Sequence, residues 1–277
     1  MRLTSLSRPL CGFKWCVLSY IMFLSGHHFQ QQCRWNLDNR YPIRIWSSYS
    51  ELKRGDSLFL KVMDIPYFLS LRIPVPVSLV VHNSDESFTD ELYTRVKPYV
   101  TDVSAVNCVS RHAKQLPLGL RDHQYASHHI LQAVMNEPAV PRDILCLVNF
   151  LVATNSSERQ VVYDMFKNNR HCLVQSSYTH FHSPNKTIRF ADPEIQRMRL
   201  EFYRTLKRCK YALCPPGTGL DTHRVYECIH LGVIPIVRSS PLDSLYATMP
   251  VKIVKTWEES IPLLEQEARS GTLPPVQ

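Results

Sequence analysis

Apolar runs of strand length alternate with stretches that read as helices along nearly the whole chain, and no other feature limits the fold as much. The runs lie at 57–63 (SLFLKVM), 75–81 (VPVSLVV), 144–152 (ILCLVNFLV), 211–214 (YALC), 233–237 (VIPIV) and 251–254 (VKIV). Several are apolar at consecutive positions, the pattern of strands buried on both faces in a parallel sheet. Helix-like stretches at 86–96, 158–168, 194–210, 222–231 and 256–268 separate them. Such alternation predicts an α/β architecture with helices on both sheet faces. The polar segment 122–142 ends in NEPAVPRD ahead of a fresh apolar run, which marks a domain boundary. The expected organisation is a leader over 1–28 and two α/β domains, 29–138 and 139–277. With 277 residues, 44% of them hydrophobic, each domain has enough chain for its own core. Two such units imply a cleft between them, since ligands of open parallel sheets bind beyond the carboxyl ends of the strands.

At the N-terminus, basic Arg2, Arg8 and Lys14 precede the uncharged WCVLSYIMFLSG of residues 15–26, which has the proportions of a signal-peptide core or a short membrane anchor. Two sequons, at Asn155 and Asn185, are usable in the secretory route. These features point to a secretory or Golgi location with membrane association through the N-terminus. A buried apolar segment in a cytoplasmic protein is the alternative. Nine cysteines without any C-x-x-C leave the compartment open and speak against a zinc ribbon or thioredoxin-type site. The net charge of +8 suits phosphorylated small molecules, anionic lipid or nucleic acid. Basic residues are spread along the chain with no run of five, so no nucleic-acid partner is expected.

The chain has eight glycines, and three of them, Gly217, Gly219 and Gly232, fall in CPPGTGLDTHRVYECIHLGVIPIV at 214–237. The order there is strand, glycine loop, helix. Asp221 or Thr222 caps the helix, because either side chain accepts from free backbone amides. Gly217 and Gly219 can take positive φ and let a ligand approach the backbone, with Thr218 between them, while Gly232 ends the helix. A helix start with free N–H groups attracts phosphate. The stretch is neither a P-loop nor a complete dinucleotide fingerprint. Arg224 lies in the first turn, where a cation opposes the helix dipole, and its i,i+3 pairing with Glu227 runs in the less favoured direction. A bound diphosphate would compensate Arg224 through its forked guanidinium, and Glu227 could accept from ribose hydroxyls. An ordinary surface pair is the competing reading.

The pattern T-H-R-V-Y-E-C-I-H-L-G-V-I-P-I-V, preceded by C-P-P-G-T-G-L-D, resembles the nucleotide-sugar-binding motif of exostosin-like and related glycosyltransferases of the GT-B fold. The residues that carry the likeness are Arg224, Glu227, Gly232, Ile234 and Pro235, and it extends from 210 to 257. Upstream it thins to islands: GDSLFLK at Gly55, VVHNSDE at Val80, NC at Asn107 and PLGL at Pro117. The resemblance implies two Rossmann-like domains facing a cleft, with the donor on the C-terminal one. It further implies transfer of a sugar from a nucleotide-diphosphate donor to a hydroxyl of a glycan or glycoconjugate, without a metal or other cofactor. The sequence contains no D-x-D to hold a divalent ion on the diphosphate, so arginine and helix N-termini would have to stabilise the leaving group. The donor contacts are expected at Gly217, Thr218, Gly219, Asp221, Thr222, Arg224 and Glu227.

On the acceptor side, the run 75–81 ends in His82-Asn83-Ser84-Asp85, polar groups at the carboxyl end of a buried strand. His82 and Asp85 are the candidate bases for the acceptor hydroxyl. Ser84 or Asp85 could instead cap a helix starting near Glu86. A zinc site at His171, Cys172, His180 and His182 lacks a further ligand pair of suitable spacing. Asn107 reads as a strand-end cap, Lys114 and Gly119 as loop residues bordering the cleft, and Arg189 as added positive charge or a solvated surface group. A catalytically degenerate nucleotide-sugar-binding protein and a basic nucleic-acid-binding module are the competing functional readings.

Overall fold

A computed structural model describes residues 24–38, 51–121, 128–175 and 192–270. The strands are β1 (Trp35–Asn36), β2 (Ser57–Leu60), β3 (Val77–Val81), β4 (Val100–Ala105), β5 (Lys114–Gln115), β6 (Ile144–Val148), β7 (Cys172–Val174), β8 (Cys209–Leu213), β9 (Ile234–Arg238) and β10 (Lys252–Val254). The helices are α1 (Gly26–Gln32), α2 (Ile65–Ser70), α3 (Asp90–Val96), α4 (His128–Asn136), α5 (Ser156–Phe166), α6 (Pro193–Lys207), α7 (His223–His230), α8 (Asp243–Tyr246) and α9 (Ser260–Arg269).

Two five-stranded sheets result, and every strand pairing in them is parallel. The first runs β1-β2-β3-β4-β5 in simple sequence order, with Leu58 opposite Leu79. Leu58, Leu60, Leu79, Val81, Phe88, Val96 and Val103 form its core. The second runs β7-β6-β8-β9-β10, the doubly wound order in which the chain reverses direction between its first and third strands. All five residues of β6 are buried, as a central parallel strand requires. One face is covered by Leu131 and Val134 of α4, Phe202 and Leu206 of α6, and Val225 and Cys228 of α7. Val162 and Phe166 of α5 and Leu264 of α9 cover the other, with Trp257.

The reversal fixes where a ligand belongs. At a switch point the loops leaving two neighbouring strands diverge, opening a crevice at their carboxyl ends. Here that crevice lies between β6 and β8, flanked by residues 149–155 and by the glycine loop after Leu213.

Two local expectations are corrected. The helix expected from Glu86 begins at Asp90 and is capped by Thr89, whose Oγ1 accepts from the Leu92 amide. The preceding segment stays non-helical because Phe88 is fully buried and bridges to Cys108, its amide bonded to the Asn107 carbonyl. Ser84 accordingly caps no helix and accepts from the Val62 amide. The second correction concerns Gly217 and Gly219, neither of which has positive φ. Their lack of a side chain serves close approach. A Cβ at Gly219 would sit 2.6 Å from Asn107 Nδ2 and 3.0 Å from the Asp85 carbonyl, and one at Gly217 would sit 3.1 Å from Arg159 Nη2. Gly232 does take φ +68°, and the Val233 and Gly232 amides bond to the Cys228 and Ile229 carbonyls, a Schellman ending for α7.

Candidate functional site

The glycine loop connects β8 to α7. Thr222 caps the helix, its Oγ1 accepting from the Arg224 amide at 3.2 Å. Asp221, the other expected cap and donor contact, is turned inward and buried. It accepts from the amides of Leu118 and Thr222 and from the hydroxyls of Tyr226 and Tyr246. Its carboxylate joins the two halves of the molecule, while its amide donates to Asn107 Oδ1 at 2.8 Å. The amides of Gly217, Thr218, Gly219 and Leu220 donate to no described residue, so the loop presents free N–H groups next to a helix start.

Arg224 and Glu227 meet as an ion pair, Nε to Oε2 at 2.9 Å, with side chains 21% and 14% exposed. The pair sits well below the ordinary surface. Arg224 Nη1 donates to the Asn149 carbonyl at 2.6 Å, at the carboxyl end of β6, and its guanidinium lies 4.4 Å from the Phe202 ring centre. Tyr203 donates to Glu227 Oε1 at 3.1 Å. Burial works against the Arg224 charge, but Glu227 more than offsets it and raises the pKa. Burial likewise opposes the Glu227 carboxylate, which Arg224 and then Arg121 pull below the usual range. Both groups are therefore ionised in the absence of ligand. The guanidinium retains N–H donors and each Glu227 oxygen a second lone pair, so the pair can also bind a ligand. Phe202 and Tyr203, both part of the core, hold this pair in place.

Asn149 and Arg159 were not anticipated. Arg159 on α5 is 9% exposed, and Nε and Nη2 donate to the Pro216 and Pro215 carbonyls at 2.9 and 3.0 Å.

Across the seam, a cleft of about 340 Å³ is lined by Lys61 and Met63 after β2, by Asn83, Ser84, Asp85 and Glu86 after β3, and by Thr218 of the glycine loop. Asp85 and Thr218 thus face the same space from opposite halves. Asp85 is exposed there. His82, the other candidate base, is corrected. It is fully buried, its ring stacks on Phe29 at 4.9 Å, Nε2 bonds to the Pro117 carbonyl and Nδ1 accepts from the Asn83 amide. In this arrangement both ring nitrogens are engaged and the ring is shut off from the cleft, which leaves Asp85 as the candidate that faces it.

Asn107 is more than a strand-end cap. At φ +48°, its Nδ2 donates to the Ser84 carbonyl at 3.0 Å while its Oδ1 holds the Asp221 amide, so it pins the Asp85 segment to the glycine loop. Pro117, Leu118 and Gly119 complete the seam through His82, Asp221 and His223. His223 donates from Nδ1 to the Gly119 carbonyl, and burial together with the Arg121 charge pushes its pKa down to about 4. Lys114 starts the short strand β5. His180, His182, Asn185, Arg189 and residues 15–23 of the N-terminal run lie outside the described residues, whereas Ser25 and Gly26 at its end are buried and Gly26 starts α1. Among the described residues no cluster could hold a metal ion, and no helix is long and apolar enough to cross a membrane.

Fold and site together define an α/β protein built on two parallel five-stranded sheets, Rossmann-like in its C-terminal half, with a basic crevice at the switch point. The chain belongs to the RXYLT1 C-terminal domain family, whose model matches residues 125–272, more than half of its length. That span takes in α4 to α9 and with them the glycine loop, Arg159, Arg224 and Glu227. The chain is also similar to the zebrafish (Danio rerio) protein named ribitol-5-phosphate xylosyltransferase 1, at 26% identity over 170 residues. The similarity covers 55% of this chain and 36% of that relative, so the chain spans little more than a third of the relative it matches.

Proposed function

We propose that the protein is a metal-independent glycosyltransferase of GT-B, exostosin-like type, moving a sugar from a nucleotide-diphosphate donor to a hydroxyl of a glycan or glycoconjugate. The observation that carries this reading is the crevice between β6 and β8, where free loop amides, a capped helix start and Arg224 converge. A diphosphate there would meet the amides of residues 217–220 and the unused N–H groups of Arg224, which can offset the charge that develops on a leaving group. Glu227 would accept from the ribose. Asp85, on the far wall of the cleft, would take the proton of the acceptor hydroxyl as that oxygen attacks the anomeric carbon. Family membership and the xylosyltransferase name of the zebrafish relative support the class and make a xylosyl donor the first to try. The domain division near residue 138 and a secretory or Golgi location, with the N-terminal run as signal or anchor, belong to the same proposal.

Thermal-shift screening against UDP-, GDP- and CMP-sugars, repeated on Arg224→Ala and Glu227→Ala, tests it. The expected result is stabilisation by one nucleotide class that both substitutions abolish. Stabilisation surviving both would remove Arg224 and Glu227 from the site. Stabilisation by none would sink the reading.

A further inference from the structure

Arg159 carries a charge that no carboxylate among the described residues meets in an ion pair. It lies 9% exposed, yet its four hydrogen bonds go to neutral oxygens: Pro216 and Pro215 carbonyls, the Leu151 carbonyl at 2.9 Å and Thr154 Oγ1 at 2.6 Å. The adjacent carboxylate, Glu158, is turned away and engaged by Arg238 and the Trp257 indole. Glu227 is engaged by Arg224. Among the described residues no carboxylate forms an ion pair with Arg159. Burial and then the Arg224 charge bring its pKa down to about 10, against smaller opposing effects of Cys214 and Glu158. A buried cation is costly unless a counter-charge completes it.

The four bonds have a further pattern. Two go to the loop after β6 and two to the loop after β8, so one guanidinium joins the two loops that diverge at the switch point. The fork has five N–H groups. Four are engaged, leaving one on Nη2, the atom to which a Gly217 Cβ would come within 3.1 Å. Gly217 thus lies against this guanidinium, which has no ion-pair partner among the described residues, and its own amide is free.

We infer that Arg159 is a positioning residue that holds the glycine loop open for a diphosphate and, as a buried guanidinium without an ion-pair partner among the described residues, makes the site prefer a diphosphate over a monophosphate. The inference rests on the glycosyltransferase reading for its meaning in catalysis, since the leaving group of such a donor is the more highly charged diphosphate. The preference itself is a property of the apo site and needs no donor to be known.

The test therefore uses inorganic diphosphate and orthophosphate as probes, titrated calorimetrically against the full chain, Arg159→Gln and Arg159→Lys, with folding checked by urea midpoint. The wild type is expected to bind diphosphate at least about tenfold more tightly than orthophosphate, in line with charge-assisted anion recognition. Arg159→Gln, which keeps donors and loses the charge, should bring that ratio to within about threefold of unity. Arg159→Lys keeps the charge without the fork, so both affinities should fall while the ratio stays above about threefold. An absent preference in the wild type overturns the inference, as does an unchanged ratio in Arg159→Gln. If that variant does not fold, a ratio lost in Arg159→Lys overturns it instead. A diphosphate preference that depends on Arg159, combined with no response to any nucleotide sugar, would leave the inference standing and refute the glycosyltransferase reading.

Discussion

Replacing Asn107 by alanine removes the residue that ties the acceptor-side segment to the glycine loop. Asn107 is 1% exposed, accepts from the Asp221 amide at 2.8 Å and donates to the Ser84 carbonyl at 3.0 Å. The contact with the Asp85 carbonyl, at 3.4 Å, is long and adds little. Alanine leaves a buried N–H without an acceptor, which costs about 1–3 kcal/mol, and forgoes a second bond of about 1 kcal/mol. It must also adopt φ +48°, a left-handed conformation that asparagine tolerates and alanine resists by roughly 1 kcal/mol. The expected loss is about 4 kcal/mol. Asn107→Gly loses the same hydrogen bonds but relaxes the backbone, so it should cost about 1 kcal/mol less than alanine. Urea unfolding at constant m-value measures both. A loss under about 1 kcal/mol for alanine, or glycine no better than alanine, would refute the reasoning. The first outcome would show that the amide bonds are replaceable by water, the second that the backbone is not strained.

Asp85→Asn keeps the size of the side chain and removes its basicity, so turnover should fall by about 10²–10⁴-fold while the nucleotide dissociation constant stays within about twofold. Equal losses in both would make Asp85 a binding residue and vacate the role of base. The neutral form of His223 is favoured in the folded protein down to about pH 4, whereas the unfolded chain protonates it near pH 6.5. Stability should therefore rise with pH across that interval and be lost on acidification through it, by at most about 3 kcal/mol, less because the ring keeps some solvent contact. Urea midpoints at pH 4.5 and 7 check this. His223→Asn, which has no titrating ring, should flatten the dependence, and an unchanged slope in that variant would exclude His223 as its source.

The α/β class was legible because β2, β3, β6, β8, β9 and β10 each lie on an apolar run of strand length, interrupted at most by single polar positions such as Ser78 and Lys210, and a parallel sheet with helices on its faces needs such strands. The elements that were missed lacked that signal. β1 and β5 have two residues each and β7 has three, and β4 carries exposed Thr101 and Asp102 within it. Within the site, the glycine pair and the Arg224 to Glu227 spacing were readable because they follow the chain locally. The reason for the glycines was not, since it lies in Asn107 and Arg159, distant in sequence and adjacent only after the sheets assemble. Arg159 had one faint mark: it shares the apolar stripe of Val162 and Phe166 at i+3 and i+7, an odd place for an arginine. His82 looked exposed at a strand end, and only the stacking of Phe29 from α1 shows that it is sealed. The upstream islands were thin in sequence yet meet at one seam, through Lys61, Asp85, Asn107 and Pro117 to Gly119.

The central claim is that Arg224 and the glycine loop, with no metal, stabilise a departing diphosphate. Release of nucleoside diphosphate from the sugar nucleotide that stabilises the protein, followed in excess EDTA for the wild type and Arg224→Ala, addresses it directly. The account predicts turnover undiminished by EDTA and reduced by at least about 10²-fold in Arg224→Ala. Turnover that requires an added divalent ion, or that persists in Arg224→Ala, would contradict it.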